Sequence, residues 1–329
     1  MSHLFHSFGN KIVAVTGSTG YIGSSLIKKL EECSTKKIIR ISRKKKDSHV
    51  SNYKNVDWVL DMNKVSSWKK IISEADIVFH LAGNTSVYAA EENPEESLAS
   101  TLLPIIALVK ASQELKKVPR VIFASTATLY GLTNTFPVKE TIRPSPITMY
   151  DLHKSFAEQK LDMASRNQII EAISLRLANV YGPSLNESNS DDRGVLSKLI
   201  RMKFEGKDLK IFGSGNYLRD YIYIDDVVNA FLHAGIMNFE NSTFNVASGT
   251  GISLKEVFNL ISLKVEEITG VYGKIENAKW PEGFHQIEKR SFVASIELLK
   301  SYSDWSPIVT LDEGIQHLIE YYRKYYNYD

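Results

Sequence analysis

Apolar positions fall into short continuous runs separated by stretches of helical period. Ile12, Val13, Ala14 and Val15 form an unbroken apolar run, the pattern of a strand buried on both faces of a parallel sheet. Behind it Ile22, Leu26, Ile27 and Leu30 repeat at helical spacing. The same alternation continues, with strands predicted at residues 37–42, 56–62, 76–83, 120–126 and 171–177. Helical stretches are predicted at 64–74, at 94–117 and from Met149 onward, and Pro104 should kink or break the second of these. Strand and helix in regular alternation predict an α/β fold with a doubly wound parallel sheet.

After Leu177 the texture changes. Residues 179–193 read as a loop rich in Asn, Ser, Asp and Gly. Short strands are predicted at 209–212 and 221–224, a helix N-capped by Asp225 through His233, and a strand at 244–246. Ser253 should cap a helix to about Leu263, and residues 311–322 should form the last one. The expected organisation is a large domain over 1–178, rejoined by parts of 225–247, and a smaller, discontinuous C-terminal domain over 179–329.

Composition narrows the function classes. With 329 residues, a large core is available. A net charge of +2 gives no electrostatic reason to expect nucleic acid or a membrane surface as partner. The lone cysteine, Cys33, excludes an intramolecular disulfide and a thiolate zinc cluster, and it suits a reducing, cytoplasmic setting. No N-terminal signal pattern is visible, and no stretch approaches the ~18 apolar residues of a membrane span. No metal site is expected.

The chemistry-bearing stretch is the turn after the first strand, where Gly17, Gly20 and Gly23 stand between strand and helix. Gly17 permits the tight turn, Gly20 a close backbone approach to a pyrophosphate, and Gly23 close packing of helix on sheet, while the helix N-terminus supplies partial positive charge. Any strand–turn–helix corner can use such glycines, so the turn alone does not settle the ligand. At the end of the second strand, Ser42, Arg43 and Lys44 stand where an acid would bind the ribose 2′-hydroxyl of NAD. The missing acid and the basic run to Lys46 favour the 2′-phosphate of NADP; the alternative is a solvated basic loop. His80, alone in an apolar run, reads as a core histidine. The fifth strand delivers Ser125 and Thr126 at its carboxyl end, and Tyr150 and Lys154 share one helical face four residues apart.

Taken together, Thr16-Gly17-x-x-Gly20-x-x-Gly23, Ser125-Thr126 and Tyr150-x-x-x-Lys154 resemble the extended short-chain dehydrogenase/reductase family, in its NAD(P)-dependent epimerase/dehydratase branch acting on nucleotide sugars. Further matches are residues 175–183, 219–227, 244–249 and the ending 304–314, so the resemblance covers nearly the whole chain. It implies a Rossmann-type sheet and Thr126, Tyr150 and Lys154 as catalytic residues. It implies cofactor contacts at Gly17, Thr19, Gly20, Tyr21, Ile22, Gly23, Ser42, Arg43, Lys44, Asp61, Met62, Leu81, Ala82, Gly83, Tyr150, Lys154 and Leu177. Substrate contacts fall on Thr126, Asn179, Arg219 and Arg290, the arginines gripping the diphosphate, and a homodimer is implied.

The chemistry explains the residue types. A free phenol titrates about three units above neutrality. The charge on Lys154 should favour tyrosinate at Tyr150. Dehydratases of the family carry Asp-Glu after the catalytic Thr; here Ala127 and Thr128 stand there, so dehydration is not expected. The leading expectation is NADP-dependent reduction of a nucleotide-linked 4-keto-6-deoxy sugar, NAD remaining possible. The alternatives are a C4 or C2 epimerase with a transient ketone, and a non-catalytic cofactor-binding sensor.

Overall fold

A computed structural model describes residues 2–44, 54–185, 194–240, 242–270 and 272–325. A short helix α1 (Ser2–Ser7), which the sequence pattern did not predict, precedes the first strand. The large sheet is built from β1 (Ile12–Thr16), β2 (Lys37–Ser42), β3 (Asn55–Val59), β4 (Ile77–His80), β5 (Arg120–Thr126), β6 (Glu171–Leu177) and β10 (Thr243–Val246). Its seven strands run in the order β10-β6-β5-β4-β1-β2-β3, and every pairing is parallel. The sheet is Rossmann-type. Strand order reverses between β1 and β4, and ligands of such sheets bind in the crevice beyond the strand ends there.

Both faces of the sheet are covered, which explains the continuous apolar runs. On one face α2 (Tyr21–Glu32) and α9 (Ile224–Ile236) bury Leu26, Leu30, Val227 and Phe231 with Val13, Val15 and Phe79. On the other, α3 (Val65–Glu74) and α6 (Leu103–Leu115) bury Trp68, Ile71, Ile105 and Leu108 with Ala14, Val78 and Val121.

Pro104 acts as expected. The 94–117 stretch divides into α5 (Pro94–Thr101) and α6, with the proline in the first turn of α6, where no N–H is missed. Against the expectation from the sequence, Pro94–Leu115 is long and apolar enough, by length and composition only, to cross a membrane. In the fold its Ile105, Leu108 and Ala111 pack into the core.

The third strand stops at Val59, so Asp61 and Met62 lie beyond it rather than at its end. The Asp61 carboxylate accepts the Asn63 amide at 3.0 Å and forms a turn. Asp225 is not the N-cap of α9. That place belongs to Tyr223, because β9 (Leu218–Tyr223) runs directly into the helix and leaves Asp225 and Asp226 in its first turn. Asp226 instead accepts the Ile308 and Val309 amides, both at 3.1 Å.

Two small sheets complete the strand inventory. One has the order β11-β9-β7, with β7 (Asn179–Tyr181) and β11 (Gly251–Ser253); the other pairs β8 (Leu209–Phe212) with β12 (Ile275–Ala278). Ser253 caps α10 (Leu254–Thr269) in a reciprocal box with Glu256, and the helix continues past Leu263. The last helix, α12 (Leu311–Tyr325), packs on β9 and on α8 (Val195–Phe204).

Candidate active site

The glycine turn has the geometry its spacing suggests. Gly17 has φ +68°, and a Cβ there would lie 2.8 Å from the Ala82 amide nitrogen. A Cβ on Gly23 would lie 2.2 Å from the Gly17 carbonyl oxygen, so only glycine lets α2 start this close to β1. Gly20 precedes the helix and donates its amide to Gly17 O at 2.9 Å. Leu81 and Ala82 are held against the turn by Thr16, whose carbonyl accepts Leu81 N at 3.3 Å and whose hydroxyl accepts Ala82 N at 3.2 Å. Ser18, which sequence reasoning passed over, ties the turn to β2 by bonding Ile41 O through its amide and its hydroxyl.

Tyr21 departs from a simple cofactor contact. Its hydroxyl donates to Gly182 O at 2.9 Å, so the side chain joins the turn to the segment after β7. Thr19 and Ile22 lie partly exposed beside it. At the end of β2, Ser42 donates to Lys44 O at 2.6 Å, while Arg43 and Lys44 are exposed. Lys45 and Lys46 of the basic run lie outside the described residues.

Helix α7 (Met149–Arg166) begins at Thr148, whose side chain caps it, and carries Tyr150 and Lys154 on one face. Lys154 is buried; its ammonium donates to Ala124 O at 2.8 Å and lies 4.6 Å from the centre of the Phe123 ring. A Cβ on Gly83 would stand 3.6 Å from that ammonium, at ordinary van der Waals contact. Burial pulls the Lys154 pKa down to about 8, while Glu158, one turn on, opposes the shift. Glu158 itself is held by Arg176 at 2.7 Å and receives the Ser125 hydroxyl, a buried network that fixes β5, β6 and α7 together.

The tyrosine does not behave as its neighbour's charge suggested. Burial pushes the Tyr150 pKa above its ordinary value, the Asp151 carboxylate beside it adds to the shift, and a hydrogen bond with Thr126 opposes it. The Lys154 ammonium, 6.0 Å from the centre of the Tyr150 ring, is hydrogen-bonded to Ala124 O. His80 is a core histidine, as expected: its Nδ1 lies 2.7 Å from the Thr16 hydroxyl, and burial lowers its pKa to about 3.

A cavity of about 190 Å³ opens above Tyr150. Of the residues singled out in the sequence, it brings together Thr126, Ala127, Thr128, Tyr150, Leu177, Asn179 and Arg290. Asn179 donates to Asp220 O at 3.0 Å and accepts from Arg290 at 3.3 Å. Arg219 does not line this cavity. It is buried behind it, and its guanidinium donates to Glu288 O at 2.7 Å and to Arg290 O. Burial, with the nearby Arg290 charge, lowers the Arg219 pKa to about 10. Arg219 therefore shapes the turn that presents Arg290. The cavity wall also includes Thr85, Val87 and Phe292, which no motif marked, and Ala178, which falls within the 175–183 match. They come from loops and strand ends distant in sequence, and only Ala178, between Leu177 and Asn179, had a local signal.

A parallel sheet of the dinucleotide-binding type, with Tyr150 beside the Thr126 hydroxyl at one strand end, defines the class of Rossmann-type dinucleotide-dependent enzymes. A sequence profile of the NAD-dependent epimerase/dehydratase family matches residues 13–247. The chain is 27% identical over 325 residues to the UDP-glucose 4-epimerase of Mycolicibacterium smegmatis, covering 94% of this chain and 97% of that one. It is also 27% identical over 319 residues to a dTDP-4-dehydro-6-deoxyglucose reductase of Escherichia coli, covering 94% and 96%. A crystal structure of UDP-glucose 4-epimerase with UDP-glucose from Thermotoga maritima superposes with a TM-score of 0.82 at 29% identity, over 96% of this chain and 99% of that one. The chain belongs to the NAD-dependent epimerase/dehydratase family, within the extended short-chain dehydrogenases/reductases, and it is an enzyme.

Proposed function

We propose that this enzyme is an NADP-dependent reductase of a nucleotide-linked 4-keto-6-deoxy sugar, with residues 1–178 holding the cofactor and 179–329 the nucleotide sugar. The observation that carries the reading is the single cavity in which Thr126 and Tyr150 meet Asn179 and Arg290. The dinucleotide fits the residues present: the turn at Gly17 and Gly23 leaves open the space a Cβ would fill, so backbone amides can approach a pyrophosphate. Thr19, Gly20, Tyr21 and Ile22 border that turn, and Asp61, Met62, Leu81, Ala82, Gly83 and Leu177 complete the cofactor crevice. Ser42, Arg43 and Lys44 would receive a 2′-phosphate, and the two exposed cations support NADP over NAD.

When bound, the nicotinamide supplies the hydride for the ketone carbon. The protein supplies the proton: Tyr150 gives its phenolic proton to the ketone oxygen, and Thr126 orients that oxygen. The raised pKa of Tyr150 keeps it protonated until that moment, as an acid requires. Lys154 would hold the nicotinamide ribose, and Arg290 with Asn179 the diphosphate, the guanidinium fork suiting phosphate. Ala127 and Thr128 place no carboxylate in the cavity wall, which supports reduction over dehydration.

Epimerisation is the second reading, favoured by the likeness to the UDP-glucose 4-epimerases of Mycolicibacterium smegmatis and Thermotoga maritima. An assay separates the two. NADPH consumed in step with a nucleotide-linked 4-keto-6-deoxy sugar supports the reductase. Interconversion of UDP-glucose and UDP-galactose without net cofactor consumption overturns it in favour of the epimerase.

A homodimer through α6 and α7 is also proposed. Leu103 and Ile106 on α6, with Met149, Phe156 and Met163 at seven-residue spacing on α7, leave large apolar side chains exposed on two adjacent helices. Sedimentation should show a dimer that Phe156→Glu dissociates.

A further inference from the structure

Asp151 follows Tyr150 directly in α7 and has no part in the chemistry above. It is fully buried and does not line the cavity. Both its oxygens receive hydroxyl protons. Thr128 donates to Oδ1, and Thr148 donates to Oδ2 at 2.8 Å. On the other side, Thr128 Oγ1 lies 2.7 Å from Thr126 Oγ1. A continuous chain of side chains therefore runs from Thr126 through Thr128 to Asp151.

The direction of that chain follows from proton counting. A threonine hydroxyl has one proton to donate. While Asp151 is ionised it can only accept, so Thr128 spends its proton on the carboxylate. Thr126 must then donate across the 2.7 Å contact. What Thr126 turns to the cavity is a lone pair, able to accept from Tyr150 or from a substrate hydroxyl. With a proton on Asp151 each bond reverses. Asp151 donates to Thr128, Thr128 to Thr126, and Thr126 presents its own O–H to the cavity. Thr148 remains a donor to the second carboxyl oxygen in both states.

We propose that Asp151 is a positioning residue that sets whether Thr126 accepts from, or donates to, the oxygen that exchanges a proton with Tyr150. The inference rests on the assignment of Tyr150 and Thr126 given above. An ionised Asp151 holds Tyr150 in its protonated, donating form. With a proton on Asp151 instead, the donating Thr126 stabilises a tyrosinate at Tyr150. The groups facing the carboxyl are the Thr128 and Thr148 hydroxyls, Tyr150 on its own helix, and, from the 285–290 segment, the Arg290 guanidinium and the His285 imidazole. Burial pushes its pKa up, while the two hydroxyls and then Arg290 and His285 draw it down.

The competing role is plain helix capping, since Thr148 also accepts the Asp151 amide at 3.0 Å. Asp151→Asn removes the charge but keeps the size, and Thr128→Val cuts the chain without touching the Thr148 cap. The readout is the ionisation of Tyr150 in the NADP-bound enzyme, taken as the alkaline ultraviolet difference between each protein and its Tyr150→Phe counterpart. Both variants should move that ionisation to lower pH by about one unit, because the tyrosinate loses a neighbouring charge or gains a donor. Both should lower kcat on the order of tenfold, with KM changed far less. An unmoved tyrosine ionisation in both variants, with only a lower melting temperature for Asp151→Asn, overturns the inference and leaves a cap. Full turnover in Tyr150→Phe overturns instead the reading of Tyr150 itself, and the inference falls with it.

Discussion

The glycine turn and the arginine cluster, the two phosphate sites of the proposed function, are built in opposite ways. The turn is one contiguous stretch. Gly17, Gly20 and Gly23 follow a strand and open a helix, and the close contacts of Gly23 are with Gly17 and Ser18. The cluster is assembled from three segments. Arg290 reaches Asn179 across 111 residues of chain, and Arg219 holds the turn of Arg290 across 71. A contiguous motif carries its own geometry into the fold. An assembled one exists only once β7, β9 and the 286–290 turn have been packed together, so it should fail as a unit.

The reacting pair between the two regions bounds any such comparison. Tyr150→Phe should lower turnover by about 10²–10⁴ while leaving both ligands bound, as removal of a general acid does; single-turnover cofactor absorbance beside calorimetry reads the split. On the cofactor side, Gly23→Ala forces a Cβ against the Gly17 carbonyl. Overpacking of about 1–3 kcal/mol there should weaken dinucleotide binding roughly 10- to 100-fold, with nucleoside diphosphate affinity held. If nucleoside diphosphate binding fell equally, the two regions would not be separable.

On the substrate side, Arg290→Ala should raise the dissociation constant of a nucleoside diphosphate about 10- to 100-fold, the loss of charge-assisted hydrogen bonds of roughly 1.5–3 kcal/mol. Arg219→Ala should weaken the same ligand although it does not line the cavity, and the double variant should lose less than the sum, because one guanidinium positions the other. Additive losses would mean two independent contacts. A milder effect is expected of pH. Lys154 is charged below about 8 and neutral above it, so activity should decline as pH rises through that value. A rate profile that stays level there would place the lysine in a different environment when cofactor is bound. The smallest effect is that of Arg43→Ala, which should reduce the preference for NADPH over NADH on the order of tenfold, read from the ratio of kcat/KM values.

The same contrast explains what could be read before the fold was known. Strand runs with continuous apolar residues predicted a sheet covered on both faces, and β1, β2, β4, β5 and β6 are such strands. Tyr150 and Lys154 were legible because a helical spacing fixes their common face. Boundaries read less well. Leu60 to Met62 look like strand by composition, yet the pairing with β2 stops at Val59 and Asp61 forms a turn. Asp225 looked like a cap, but β9 enters α9 without a loop and leaves no residue free for that role.

By itself the sequence determined the parallel sheet and the glycine turn, because each depends on period and spacing within one or two elements; the grouping of Thr126, Tyr150 and Lys154 came with the family resemblance. Tertiary structure alone decided that Arg219 lies behind Arg290, that Tyr21 bonds Gly182, and that Asp151 closes a hydroxyl chain to Thr126. Those facts depend on which segments meet and which way each donor points. Adjacency in the chain does not encode either, since two neighbours such as Tyr150 and Asp151 leave one helix in different directions, the first into the cavity and the second into the wall behind it.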